Sequence, residues 1–132
     1  MVFVGKIRIM VLESHAAMRD GLVSLISGAA DTELVGAAAS EMEALCQLPR
    51  SKPDVLVVDT DTTHAEGFVR EVAATWHELP VIALVDYEWD DVAKKVISAG
   101  AAAFVAKDQI AGQLLPLVRE IVGRARDHKV GV

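Results

Sequence analysis

The sequence predicts an α/β domain: five parallel strands in one sheet, with helices on both faces. Three observations carry this. Short apolar runs alternate five times with longer stretches of helical periodicity. Hydrophobic residues make up 52% of the chain but aromatics only 5%, so the core is built from Val, Ile, Leu and Ala, which suits parallel strands covered on both sides. Three of the runs end in polar side chains, Glu13-Ser14, Asp59 and Lys107. Open parallel sheets place their chemistry at that carboxyl edge.

Taken in order, Ile7–Leu12 is the first strand. Met18, Leu22, Leu25 and Ile26 then recur at helical spacing, with Ser14 as N-cap and Gly28 near the stop. Leu34–Ala38 is a short second strand. Ser40 caps a helix through Leu48, with Glu43 three residues on in a capping-box pattern. Pro49 and Pro53 bracket a loop before the third strand, Val55–Val58, which Asp59 ends. Gly67 to Trp76 is the next helix, with Phe68, Val69, Val72 and Ala73 on one side. Pro80 opens the strand Val81–Val85.

Asp90 or Asp91 caps a fourth helix whose Val92, Val96 and Ile97 face inward, and Gly100 ends it as a left-handed cap. The run 102–106 is the fifth strand. Leu114, Leu117, Val118, Ile121 and Val122 mark the last helix. Proline is tolerated only in a first helical turn, so Pro116 predicts that this helix starts nearer Gln113 than Asp108, or kinks. Periodicity alone leaves the order of the strands in the sheet open.

At 132 residues the chain fits one domain with a single sizeable core. A mean hydropathy of +0.34 excludes disorder. The net charge of −6 argues against nonspecific nucleic-acid binding. Arg119, Arg124, Arg126 and Lys129 cluster near the end, and the simplest reading is a solvated last helix with cations at its negative pole. Cys46 is the only cysteine, which excludes an intrachain disulfide and a cysteine metal cage, and a buried thiol in the core is expected. Lys6 and Arg8 interrupt any leader-like apolar stretch and no run approaches membrane-spanning length, so a cytoplasmic protein with no membrane partner is expected.

Four stretches then converge. They are HAAMRDGLVSLI from His15, KPDVLVVD from Lys52 to Asp59, PVIAL from Pro80 to Leu84, and AGAAAFVAKD from Ala99 to Asp108. Together, in this order and at this spacing, they resemble the receiver domain of two-component response regulators, most closely receivers that precede a helix-turn-helix DNA-binding output. The match covers Ile7 to about Gly123. The resemblance implies a flavodoxin-like, doubly wound sheet of order 2-1-3-4-5, a receiver-like domain over residues 1–126, and a tail or linker start over 127–132.

By position, Asp59 matches the family's phosphoacceptor and Lys107 the lysine that neutralises the phosphoryl group. Phe104 matches the aromatic that reorients on activation. Glu13 and Ser14 occupy the places of two adjacent acids that hold Mg²⁺. Val85 stands where the family has a Thr or Ser hydroxyl, and Asp86 where a small residue is usual.

These departures bear on the chemistry. Phosphoryl transfer to a carboxylate depends on positioning and on neutralising charge over the equatorial oxygens. Ser14 carries no charge, Val85 donates no hydrogen bond, and Asp86 puts a negative charge where a dianion would arrive. A Mg²⁺ held by Glu13 and Asp59 alone is expected to be weak, and no cofactor is required. Simpler readings stand beside these: Asp59 and Lys107 as a remnant ion pair, Phe104 as a packed aromatic, Asp61 and Glu66 as solvated loop acids. His15 and His64 lie near the rim without helix-ligand spacing and are not expected to bind metal.

The expected function is an atypical, phosphorylation-independent receiver (a pseudo-receiver) rather than an enzyme. It would act as a signalling and dimerisation module for a transcriptional output, touching DNA only through a domain outside this chain. The main alternative has a histidine kinase phosphorylating Asp59. A small doubly wound enzyme or nucleotide-binding domain is a further alternative, although neither G-x-G-x-x-G nor G-x-x-x-x-G-K-[ST] is present.

Overall fold

A computed structural model describes residues 5–61, 64–87 and 91–130. Its elements are β1 (Ile7–Leu12), α1 (Ala16–Ser27), β2 (Thr32–Ala38), α2 (Glu41–Ser51), β3 (Val55–Asp59), α3 (Ala65–Thr75), β4 (Val81–Val85), α4 (Asp91–Ala99), β5 (Ala103–Ala106) and α5 (Ile110–Val130), with one 3-10 turn at Lys107–Gln109 before α5. The five strands pair in parallel in the order β2-β1-β3-β4-β5. This is the flavodoxin-like order that the family resemblance implies.

The two-residue repeat of the strands divides the core. Ile7, Ile9 and Val11 of β1, Val55 and Val57 of β3, and Ile82 and Leu84 of β4 pack with Leu22 and Ile26 of α1 and with Leu114, Val118 and Val122 of α5. Met10, Leu12, Leu56, Val58, Ala83 and Val85 point the other way, onto Leu48 of α2, Phe68, Val69 and Val72 of α3, and Val96 of α4. Strands buried on both faces read as unbroken apolar runs, which is why their positions were legible.

Two glycines answer to geometry. The β1–β2 register shifts between Ile9 and Met10, where Leu34 faces Ile9 but Gly36 faces Met10. A Cβ on Gly36 would stand 2.8 Å from Gln47 Oε1, so the glycine lets α2 lie close on the edge strand. Gly100 ends α4 with φ +124°, as the left-handed cap expected there requires.

Several boundaries differ from expectation. The N-cap of α1 is His15, with extended backbone and no side-chain cap bond, and Ser14 lies one residue outside it. In α2, Ser40 Oγ accepts the Glu43 N–H at 3.1 Å, while the Glu43 carboxylate reaches the Ala39 N–H. That helix runs through Pro49 to Ser51 and closes on Lys52 at φ 46°. The Arg8 guanidinium, from β1, donates to the Ser51 carbonyl at 2.7 Å and to that of Lys52. The last-turn carbonyls thus gain a cation at the helix's negative pole, and the helix survives its proline.

α5 begins at Ile110, so Pro116 lies in its second turn rather than its first. Proline there lacks the N–H that would bond the Gly112 carbonyl, a loss of about 3 kcal/mol in a helix interior. Leu114, Leu115, Val118 and Val122, all buried, hold the helix across it. The helix also passes residue 126, so the expected tail boundary falls inside it.

Ile97 is exposed instead of inward, and Val92 is only half-buried, leaving Ala93, Val96 and Ala99 as the packed face of α4. Cys46 is exposed on α2, because Ala44 and Leu48 take the inward positions. Of the two caps considered for α4, Asp90 lies outside the described residues, and Asp91 is the helix's first residue. Among the described side chains of the C-terminal cations, Arg119 pairs with Asp31, Arg124 with Glu120, and Arg126 with Asp54. No helix among the described residues is long and apolar enough to cross a membrane.

Candidate functional site

The carboxyl ends of β1, β3, β4 and β5 bring Glu13, Asp59, Asp86 and Lys107 to one edge, as the register places Asp59 beside Leu84 and Val85 beside Ala106. Glu13 and Asp59 are both buried, at 0% and 1% exposure. Lys107 Nζ lies 2.7 Å from Asp59 Oδ1 and 3.5 Å from Asp86 Oδ1. The Asp61 backbone N–H donates to Asp59 Oδ1 at 3.2 Å. Thr60, the next buried polar side chain, is committed elsewhere: its hydroxyl donates to the Leu84 carbonyl at 2.7 Å.

His15 joins this group, which the sequence reading did not anticipate. Its backbone N–H donates to Glu13 Oε2 at 3.2 Å, and its Nδ1 lies 3.3 Å from the same oxygen. Nδ1 is 4.0 Å from Asp59 Oδ2, and Nε2 is 3.9 Å from Asp61 Oδ2. The signal was present but local. A helix starting at residue 16 makes His15 the capping residue and turns it back over the strand end. Ser14 is exposed and its carbonyl faces Arg19, whose guanidinium also donates to the Glu13 carbonyl at 2.9 Å.

Two side-chain oxygens here, Glu13 Oε1 and Asp59 Oδ2, are buried with no hydrogen-bond partner. Burial pushes the Glu13 carboxyl above the usual carboxylate range, and the adjoining Asp59 carboxylate pushes it further. Burial acts on Asp59 in the same direction. The adjoining Glu13 carboxyl and then the Lys107 ammonium outweigh it, so Asp59 is held below its ordinary value. Burial alone would lower Lys107, but its bond to Asp59 and the charges of Asp59, Asp86 and Glu13 raise it.

Val85 is fully buried and offers only its isopropyl group at the end of β4, and Asp86 beside it is exposed. Phe104 is half-buried against the α2–α4 side of the core, packed like an ordinary aromatic. His64 stands exposed as the residue capping α3, apart from the acids, and Glu66 pairs with Arg70 one turn on.

The model of the response regulator receiver domain matches residues 9–119. This chain belongs to that family. The receiver is 28% identical over 117 residues to the DNA-binding transcriptional activator DevR/DosR of Mycobacterium tuberculosis, covering 87% of this chain and 54% of that protein. It is 27% identical over 117 residues to the oxygen regulatory protein NreC of Staphylococcus haemolyticus, covering 86% and 54%. The chain thus spans about half the length of these relatives.

Its fold matches the response regulator domain of Thermotoga maritima CheB with a TM-score of 0.80 at 24% identity, covering 89% of this chain and 97% of that one. A signal receiver domain of an HD domain-containing protein from Pseudomonas fluorescens Pf-5 matches with a TM-score of 0.86 at 15% identity, covering 100% and 98%. These likenesses speak for the fold alone. The receiver family is not an enzyme family, and the small-enzyme alternative gives way to it.

A receiver implies Mg²⁺ at its acidic pocket. The residues present fit a divalent cation, since two buried carboxylate oxygens lack partners and Glu13, His15 and Asp59 offer ligand atoms within 4.8 Å of one another. They do not fit Mg²⁺ well. That ion wants oxygen ligands in an octahedron, whereas the third donor here is an imidazole nitrogen.

Proposed function

We propose that this receiver is a pseudo-receiver, set in one conformation without phosphorylation. It serves as a dimerisation and docking module for a transcriptional output elsewhere in a longer, cytoplasmic protein. The observation that carries this is the occupied state of Lys107. Its ammonium is held by Asp59 on one side and Asp86 on the other, while buried Val85 supplies no donor beside them.

The magnitudes favour Val85 as the main obstacle. Loss of one preorganised donor costs about 2.7–4 kcal/mol in comparable oxyanion sites. Asp86 is more than half exposed, so its repulsion of an incoming dianion is screened to about 1 kcal/mol. Together these slow phosphoryl transfer to Asp59 by roughly a thousandfold. Any Mg²⁺ bound by Glu13 and Asp59 is correspondingly weak.

Support for an output domain comes from the relatives, of which the matched residues make up only 54%, among them a DNA-binding activator. Ala93, Val96, Ala99 and Ala101 are all buried in the core. The outward residues of that region include Ile97 and Tyr87, and a dimer through α4 would use these.

The alternative, phosphorylation of Asp59 by a histidine kinase, is favoured by one observation, the intact 2.7 Å contact between Asp59 and Lys107. Incubation with a small phosphodonor and Mg²⁺, followed by mass measurement, decides between them. The parent is expected to stay unlabelled, and the Ser14→Asp, Val85→Thr, Asp86→Ala triple variant to gain label at Asp59. Stoichiometric labelling of the parent within minutes would sink the pseudo-receiver reading.

A further inference from the structure

We propose that Glu13, His15 and Asp59 form a divalent-cation site with one imidazole ligand, and that it selects a borderline ion of the Zn²⁺ class over Mg²⁺. The ligand set follows from which lone pairs are free. Asp59 Oδ1 is taken by Lys107 and by the Asp61 N–H, leaving Oδ2. Glu13 Oε2 accepts from the His15 backbone, leaving Oε1. Both free oxygens are buried, where an unpartnered carboxylate oxygen costs stability that a cation would return.

His15 Nδ1 lies beside these oxygens, 4.0 Å from Asp59 Oδ2 and 3.3 Å from Oε2 of the same Glu13 carboxylate. Donors about 2.0–2.2 Å from one ion stand roughly 3–4 Å apart, and one ligand atom from each of the three residues already lies within 4.8 Å of the others. The other ring nitrogen, Nε2, faces Asp61 Oδ2 at 3.9 Å. An outer carboxylate on the far side of a ligating imidazole is a recurrent arrangement, because it fixes the tautomer and raises the basicity of the metal-facing nitrogen.

The local charge balance favours a cation. Glu13, Asp59 and Asp86 act on one ammonium, that of Lys107, and Asp61 faces His15. What the imidazole changes is selectivity. Mg²⁺ prefers oxygen and sheds water reluctantly, whereas nitrogen donors gain strength along the series towards Cu²⁺ and Zn²⁺. His15 therefore replaces, with a different ion in view, the carboxylate absent at Ser14.

The test is titration calorimetry of the metal-free full chain with ZnCl₂ and, separately, MgCl₂, without phosphodonor. Co²⁺ absorption and the His15 imidazole NMR signals serve as independent readouts. One Zn²⁺ per chain is expected to bind at least about tenfold more tightly than Mg²⁺. His15→Ala, which removes no side-chain cap bond, should cost Zn²⁺ about tenfold or more and change Mg²⁺ by less than about twofold. Asp59→Asn should weaken both ions. Equal affinities for the two ions would overturn the proposal. So would Zn²⁺ binding that persists in both folded variants, since it would then reside at other histidines or at Cys46. The result is independent of whether Asp59 accepts a phosphoryl group, because no donor is present.

Discussion

Asp59 at the end of β3 and Lys107 just past β5 meet across the end of β4, which lies between them, with Lys107 Nζ 2.7 Å from Asp59 Oδ1. Asp59 is 1% exposed and Lys107 18%, so this is an ion pair withdrawn from water. The pair draws strength from low local dielectric, and each partner depends on the other to remain charged.

Lys107→Ala is therefore expected to destabilise the domain by about 3 kcal/mol, the lower end of the cost of breaking a buried pair, since the lysine retains some exposure. Chemical denaturation measures it. Adding Asp59→Asn to that variant should recover part of the loss, because the orphaned charge disappears. A double variant less stable than Lys107→Ala would contradict the pairing.

Glu13→Gln should raise stability at neutral pH in the presence of chelator, by about 1–2 kcal/mol. A buried charge without full hydrogen bonding is costly, and Glu13 is fully buried beside Asp59 with one oxygen unpartnered. The amide keeps an acceptor for the His15 N–H and offers a donor to Asp59 Oδ2. A lowered melting temperature in chelator would mean that the Glu13 charge is compensated in some other way.

Gly100→Ala should cost about 2–6 kcal/mol. Gly100 adopts φ +124°, where an L-residue is strained by about 1–3 kcal/mol. Its new Cβ would also stand 2.7 Å from the Cβ of Ala73 on α3. Neither atom is the end of a flexible chain, so backbone must shift, which adds about 1–3 kcal/mol. The substitution Gly67→Ala, where a Cβ meets nothing within 4 Å, is the control and should be neutral or slightly stabilising.

The Asp31–Arg119 pair joins the turn before β2 to α5 in two contacts, at 2.7 and 3.0 Å. The Arg119 guanidinium holds the Asp31 carboxyl below its ordinary value. A depressed folded value means that the stabilisation is present above the unfolded carboxylate range and is lost as pH falls through the folded value. Asp31→Asn should thus lower the melting temperature slightly at neutral pH and low salt. The difference should vanish in strong acid and shrink in high salt, as both groups are exposed. A difference that persists in strong acid would point to packing rather than charge.

The sequence by itself determined the elements whose residues are buried on both faces. Val55–Val58 and Val81–Val85 read as strands because every side chain in them is apolar, and the structure buries every one. The capping box at Ser40 was equally legible, because its bonds join residues only three or four apart. So was the gathering of Glu13, Asp59 and Lys107, once parallel order placed the strand ends on one edge, whereas Ser14, read with them, is exposed.

Tertiary structure decided the rest, wherever the decisive partner is distant in sequence. α2 passes Pro49 because Arg8, 43 residues from Ser51, satisfies its end. α5 starts before its proline because buried leucines and valines on the sheet outweigh one lost hydrogen bond. Ile97 faces out and Cys46 is exposed because the packed faces of their helices are set by what lies beneath them. The position of His15 over Glu13 and Asp59 depends on where α1 begins and how the 13–15 segment turns, a matter of backbone direction that residue spacing does not encode.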